Sequence, residues 1–150
     1  MGRVSSTSGV IVAVQGGNGT VGYADESQAG SLGKALIKVG DAYTGPSPEA
    51  AANVLNESKR VEGRGDSSFA FDVARDTTAA GTYPIVLVSY QMACSKYPDA
   101  AQADLVKGFL TYTTSAEGQQ AAAQAAGSAP LPDQLRTQIT PAVTGITAGA

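Results

Sequence analysis

The sequence predicts an α/β protein, in which short strands and amphipathic helices alternate along a chain of 150 residues. The clearest strand signal is an uncharged apolar run from Ile85 to Ala93. A strong helix start lies at Ser47-Pro48-Glu49, which combines a capping residue, a first-turn proline and a first-turn acid. A composition of 43% apolar and 15% charged residues is typical of a globular chain with a hydrophobic core.

The first elements are short. The hydroxyl residues between Ser5 and Gly9 resemble a helix cap, so a helix is expected over 10–15, although its β-branched residues leave a strand open. A strand is expected at Thr20–Ala24. Asp25 then begins a helical turn or two that extends to Leu32.

The middle of the chain follows the same alternation. Strands are expected at Lys34–Val39 and Phe69–Val73, and Asp41–Tyr43 can continue the pairing of the first. Between them lie a helix from Ser47 to about Ser58 and a polar loop over Lys59–Ser68. The predicted order is therefore strand, helix, loop and strand.

The second half begins with a turn at Gly81–Pro84 and the strand Ile85–Ala93, which so uniform an apolar run predicts to be buried on both faces. Cys94 is then a shielded core thiol, and aspartate at Leu87 or Val88 is expected to unfold the protein. A helix from Pro98 has an apolar face, a capping box at 114–117 starts another, and a last helix runs from Asp133 to about Ala142. The apolar face of the first of these helices consists of Leu105, Val106, Phe109 and Leu110.

The residue inventory excludes several chemistries. With no histidine and one cysteine, the chain has no Ser-His or Cys-His pair, no common zinc site and no internal disulfide. Ten basic and thirteen acidic residues are scattered, without the basic cluster of a nucleic-acid binder. Asp72 and Asp76 are expected to be solvated. The sequence thus predicts neither an enzyme nor a protein with a metal or cofactor.

Three short motifs have a functional and a structural interpretation. Gly17–Gly22 has the spacing G-x-G-x-x-G, but it precedes a predicted strand and is interpreted as a turn rather than a nucleotide site. Arg64-Gly65-Asp66 is an integrin-recognition tripeptide, and with Ser67 and Ser68 it is similar to an anion clamp, but a polar loop produces such patterns by chance, so the structural interpretation is preferred. The hydroxyl residues before Val10 could bind an anion or cap a helix.

Several segments match, in order, the sequence pattern of one known family. The first is Gly19–Ala29, similar to a GxIGYxxxxxA segment, and the second is Thr82–Tyr90, similar to a YPI strand entry. Asp104–Tyr112 resembles a VxxFLxY helix, and Ser115–Gln119 and Ala129–Pro132 resemble the closing segments. With these segments the chain resembles the phosphate-binding proteins of ABC phosphate transporters, the PstS type, and its alanine-rich composition is similar to that of actinobacterial members.

The resemblance implies the C-terminal half of a two-lobed periplasmic-binding-protein fold of type II-like architecture, with a mixed sheet flanked by helices. Residues 1–82 are expected in one lobe, and 83–150 supply the crossover strand and the C-terminal helices of the other. The phosphate ligands of the family lie in upstream segments, so none is carried over with confidence. Arg3 with Ser8 and Gly9 gives a spacing one residue too long and lacks the aspartate of the family segment. The weak candidates are Ser6, Thr7, Ser8 and Gly9.

The implied function is that of a fragment of an extracytoplasmic or cell-surface phosphate-binding protein for phosphate import, which delivers its ligand to an ABC permease. No signal peptide is expected in this chain, since Met1-Gly2-Arg3 is followed, after Val4, by Ser and Thr. It is expected to bind phosphate only with the missing N-terminal half, and to pair with that half or form a homo-oligomer. The alternative is a self-associating truncated module without a small-molecule ligand.

Overall fold

The computed structural model describes residues 6–149. Within them, helices and short strands alternate, and the predicted α/β class is confirmed. The helices are α1 (Thr7–Gln15), α2 (Pro48–Glu57), α3 (Ala100–Thr114), α4 (Ala116–Ala126) and α5 (Asp133–Thr144). The strands are β1 (Ile37–Val39), β2 (Ala42–Thr44), β3 (Lys59–Arg60), β4 (Phe71–Asp72), β5 (Lys96–Tyr97) and β6 (Thr147–Ala148).

The strands pair in three separate two-stranded sheets. β1 and β2 form an antiparallel hairpin whose turn contains Gly40 at φ +58°, a left-handed conformation that favours glycine. β3 and β4 are antiparallel, and Lys59 lies opposite Asp72. β5 and β6 are parallel and join the segment before α3 to the end of the chain. Both pairing senses are therefore present, but they are distributed over three small ladders.

Side-chain caps explain where the helices begin. The Ser47 Oγ accepts from the Ala50 N–H at 3.1 Å, and an Asp99 carboxylate oxygen accepts from the Ala101 N–H at 2.8 Å. The helix α4 is capped by Ser115, whose Oγ accepts from the Gly118 N–H at 3.0 Å. The capping residue is thus Ser115, one residue after the position expected from the capping box.

The core is small and lies in two groups. Val39, Ala50 and Val54 are buried where β1 and α2 lie, and the Val54 side chain has no exposed surface. The second group belongs to the C-terminal helices, where α3 packs against α4 and α5. Its buried members are Ala103, Leu135, Val143 and Ile146.

The strand predicted at Thr20–Ala24 is wrong, because the segment has no strand partner. The Thr20 hydroxyl instead donates to the Val14 and Gly17 carbonyls at 3.0 and 3.2 Å, which folds the chain back onto the end of α1. The glycine motif that begins at Gly17 is therefore a turn after a helix, as the structural interpretation predicted. Asp25 caps only a short 3-10 turn, Glu26–Gln28.

The prediction of a buried strand at Ile85–Ala93 is also wrong for this chain. The segment has no strand partner, and Leu87 and Met92 are 88% and 96% exposed. Cys94 is exposed as well, so it is not a core thiol. The physical reason is that an extended strand needs neighbours to satisfy its backbone and cover its side chains, and residues 6–149 supply none here.

Only part of the predicted apolar face of α3 is covered. Val106 and Leu110 are half-buried, but Leu105 and Phe109 are 75% and 60% exposed, and Tyr112 is 50% exposed. The chain therefore presents an apolar helix stripe to solvent in addition to the exposed segment Ile85–Ala93.

In the part of the chain that the structure describes, no helix is long and apolar enough to cross a membrane.

Candidate functional site

The candidate anion ligands Ser6–Gly9 form the first turn of α1. Ser6 is the cap: its Oγ accepts from the Gly9 N–H at 3.2 Å and lies 2.9 Å from the Ser8 Oγ. The first N–H groups of a helix lack partners within it, and the helix dipole makes this end positive. Ser6, Thr7 and Ser8 are exposed. The structure therefore brings the four predicted residues together in one turn that can donate to an anion.

The surroundings of this turn are not those of a complete anion site. Thr7 borders an open cleft of about 710 Å³, whose other walls come from the 3-10 turn and the end of α4. The cleft contains the carboxylate of Asp25 and has no lysine or arginine among its lining residues. Asp25 already accepts from the N–H and the hydroxyl of Ser27 at 3.0 and 2.6 Å. A phosphate there would meet a like charge and no cation.

Several cations elsewhere in the described residues are engaged in structural contacts. Lys34 pairs with Glu26, and Arg136 pairs with Asp133 at 2.8 Å. Arg75 donates to the backbone carbonyls of Pro84 and Val86 at 3.0 and 3.1 Å. The sequence analysis missed this role of Arg75, because nothing local to that residue signals a partner nine to eleven residues away.

The Arg64-Gly65-Asp66 tripeptide occupies the loop between β3 and β4 and is exposed. Arg60 closes this loop by donating to the carbonyls of Asp66 and of Ser68, the latter at 2.6 Å. Its guanidinium also lies 4.1 Å from the centre of the Phe69 ring. The loop carbonyls therefore face a cation, which favours the structural interpretation of this motif over an anion clamp.

The remaining candidates form no site in the described residues. Asp72 and Asp76 are exposed, as expected. Residues 6–149 contain no group of three or more carboxylates or cysteines that could hold a metal ion. Among the described candidate residues, only those in the turn at the start of α1 lie together in one site.

Comparison with known proteins defines the family. The model of the PBP superfamily domain matches residues 2–117, which extends from the first helix into α4. The chain belongs to the PBP superfamily. The resemblance found in the sequence is confirmed by curated relatives from mycobacteria. This PBP superfamily chain is similar to the phosphate-binding protein PstS 3 of Mycobacterium leprae, with 31% identity over 145 residues, 92% of this chain and 38% of that protein.

A second relative is the phosphate-binding protein PstS 2 of Mycobacterium tuberculosis, 32% identical over 150 residues that cover 95% of this chain and 39% of the relative. A shorter match, 42% over 66 residues, joins 44% of this chain to PstS 3 of Mycobacterium tuberculosis. No solved structure matches significantly. The alignments with PstS 3 of M. leprae and PstS 2 of M. tuberculosis cover nearly all of this chain, but the chain spans less than two fifths of the length of either relative.

Proposed function

We propose that this chain is part of an extracytoplasmic phosphate-binding protein that serves phosphate import and delivers its ligand to an ABC permease. The observation that carries this proposal is the alignment of 92–95% of the chain with proteins named phosphate-binding, within a superfamily match over residues 2–117. Its role is then to bind a ligand rather than to catalyse a reaction. The absence of histidine, which removes the commonest acid-base catalyst, agrees with this role.

The main phosphate ligands lie, in this proposal, in a part of the receptor outside the chain. Removing a multiply charged oxyanion from water requires many convergent donors and cations. The α1 turn offers free N–H groups and the hydroxyls of Ser6, Thr7 and Ser8, but the adjoining cleft contributes only the carboxylate of Asp25. The contribution of this chain is therefore the helix start Ser6–Gly9, and the rest of the receptor supplies the cations.

The proposal includes a division into parts of two lobes, residues 1–82 and 83–150. Its support is that α3 packs mainly on elements of its own part, namely α4, α5, β5 and β6. The two parts meet where Leu55 and Phe71 face Leu135 around a small cavity of about 120 Å³, and also where Arg75 donates to the Pro84 and Val86 carbonyls. Ligand-dependent closure of the whole receptor would then act on these contacts.

Calorimetric titration with inorganic phosphate at moderate salt tests the proposal. We expect no micromolar binding by the chain alone, and binding when it is combined with the part of the M. leprae relative that it does not match. In that complex, Thr7→Val should weaken binding several-fold, whereas the control Thr111→Val, on an exposed position of α3, should not. Micromolar affinity of the chain alone would contradict the division of ligands.

A second candidate function is a self-associating module without a small-molecule ligand. It is favoured by the two exposed apolar surfaces, the segment Ile85–Ala93 and the α3 stripe of Leu105, Phe109 and Tyr112. This candidate would be favoured over the receptor by two results together: the complex binds no phosphate in calorimetry, and the chain alone is an oligomer in light scattering. The two measurements together separate the candidates.

A further inference from the structure

The loop between β3 and β4 carries the Arg64-Gly65-Asp66 tripeptide, whose side chains have no role in the fold or in the proposed phosphate site. All three residues are exposed. Within residues 6–149, no ion pair or side-chain hydrogen bond engages the Arg64 guanidinium or the Asp66 carboxylate, and only the Asp66 carbonyl is bonded. A cation and an anion separated by one glycine are therefore both accessible to a partner.

The backbone of this loop is held by contacts that do not use the side chains of the tripeptide. Arg60 donates to the carbonyls of Asp66 and Ser68 and lies over the Phe69 ring. The Ser68 N–H closes a turn on the Gly65 carbonyl at 3.2 Å. At the base of the loop, β3 and β4 pair as an antiparallel ladder. The loop thus presents the tripeptide in one conformation, which lowers the entropy that binding would cost.

Gly65 leaves the backbone open between the two charged residues. Its φ of +79° is a left-handed conformation that favours glycine. A Cβ added at this position would meet no atom within 4 Å, so nothing in the chain covers the backbone here. A receptor surface can therefore come close to the Gly65 backbone while it contacts Arg64 and Asp66.

The chemistry of the two charged side chains defines the partner. A planar guanidinium bonds a carboxylate through two parallel N–H donors. An exposed carboxylate is a ligand for a hard divalent cation, which binds oxygen atoms. A receptor for this loop therefore needs an acidic pocket for Arg64 and a divalent cation with an open coordination position for Asp66.

We propose that the loop is a recognition site for a receptor of the integrin class, in which a divalent cation takes an Asp66 carboxylate oxygen and an acidic pocket takes the Arg64 guanidinium. The polar character of the loop explains its residue types. It does not require a left-handed glycine between two exposed charges or a backbone held from below by Arg60. Arg60 is then a positioning residue, which fixes the loop that carries the recognised side chains.

This inference goes beyond phosphate binding and uses none of the residues of the α1 turn. The extracytoplasmic location in the proposed function would expose the loop to such a receptor. The binding test uses the purified chain alone, so its outcome does not depend on phosphate import.

Biolayer interferometry with an immobilised, purified RGD-binding integrin ectodomain tests the site. In a buffer with Mg²⁺, the full chain should bind saturably. EDTA should abolish this binding because it removes the cation that takes the carboxylate. An excess of a linear Arg-Gly-Asp-Ser peptide should also abolish it, whereas an Arg-Gly-Glu-Ser peptide should not. Absence of binding, or binding that persists in EDTA or in the competing peptide, would overturn the proposal.

Two charge-conserving variants locate the binding on the chain. Asp66→Glu displaces the carboxylate by one methylene and should weaken binding at least about tenfold, since a bond to a charged group is lost. The matched control Asp72→Glu, at an exposed position of β4, should change binding less than about twofold. Circular dichroism should show the same fold for both variants, because both positions are exposed. Equal effects of the two changes would contradict the site.

Arg60→Lys tests whether the held loop matters in addition to the tripeptide. Lysine keeps the charge but lacks the planar fork with which Arg60 bonds two carbonyls. Amide hydrogen exchange over residues 61–68 should become faster, and binding should weaken about three- to tenfold because the loop must then be ordered by the receptor. An unchanged affinity would contradict the positioning role of Arg60.

Discussion

The C-terminal helices and the segment Ile85–Ala93 are neighbours in the chain but opposites in how they satisfy their backbones. Helices α3, α4 and α5 bond their own N–H and C=O groups internally and then bury Ala103, Leu135 and Val143 against one another. The segment Ile85–Ala93 is more apolar than any of these helices, yet it stays unpaired and largely exposed. Hydrophobicity alone therefore does not decide burial.

The comparison shows that extended backbone needs a second strand to bond its N–H and C=O groups, whereas a helix bonds most of these groups within itself. The Ser115 cap and the first-turn Glu117 specify the start of α4 without any distant contact. In the segment, Arg75 bonds only the carbonyl of Val86, and no backbone–backbone hydrogen bond of residues 85–93 is found within the described residues. A chain that spans less than two fifths of its relatives can thus keep its helices while the apolar segment Ile85–Ala93 lacks strand neighbours.

The largest expected effect comes from placing aspartate in each region. Val54→Asp should abolish cooperative folding, because Val54 is fully buried and an unpaired carboxylate there costs several kcal/mol. Leu87→Asp, contrary to the expectation from sequence, should change the free energy of unfolding of the monomer by less than about 0.5 kcal/mol. Urea unfolding followed by circular dichroism, at concentrations where light scattering shows monomer, measures both. Unfolding by the Leu87 change would show that the segment is covered within the monomer.

A smaller effect is expected from two glycines on the C-terminal helices. A Cβ at Gly118 would lie 2.0 Å from the Tyr112 carbonyl oxygen, so Gly118→Ala should destabilise the fold by about 1–3 kcal/mol. The control is Gly108→Ala on α3, where the added Cβ meets nothing within 4 Å. It should stabilise by about 0.5–1 kcal/mol, since alanine favours helix over glycine. Opposite shifts of the thermal midpoint are the expected result, and shifts of the same sign would contradict the close α3–α4 junction.

The smallest expected effect compares two helix caps. Ser115→Ala removes both the Oγ that accepts from the Gly118 N–H and the donor to the Tyr112 carbonyl at 2.7 Å, and should cost about 1 kcal/mol. Ser6→Ala removes a comparable cap on α1, but that helix buries no residue. Only local fraying of α1 should follow, which amide hydrogen exchange detects without a change in global stability. A global loss from Ser6→Ala would show that α1 is part of the cooperative core.

The helices could be predicted from sequence because their signals are local. Capping residues predicted three helix starts, at Ser47, at Asp99 and near Ser115. The structure has a side-chain cap at each of them. The α1 turn was predicted by the same reasoning, which is why the four candidate anion residues were found together. What could not be predicted was the lack of a cation in the neighbouring cleft, since Asp25 reaches that cleft only through the fold.

By itself, the sequence determined the α/β class, the starts of α2, α3 and α5, the family resemblance and the absence of histidine. Each of these depends on residue type or on spacing within a few residues. Only the tertiary structure decided that Thr20–Ala24 is not a strand, that Arg75 bonds the carbonyls of Pro84 and Val86, and that Cys94 is exposed. The physical reason is that strand pairing and burial join residues distant in sequence, so they depend on which neighbours the chain contains.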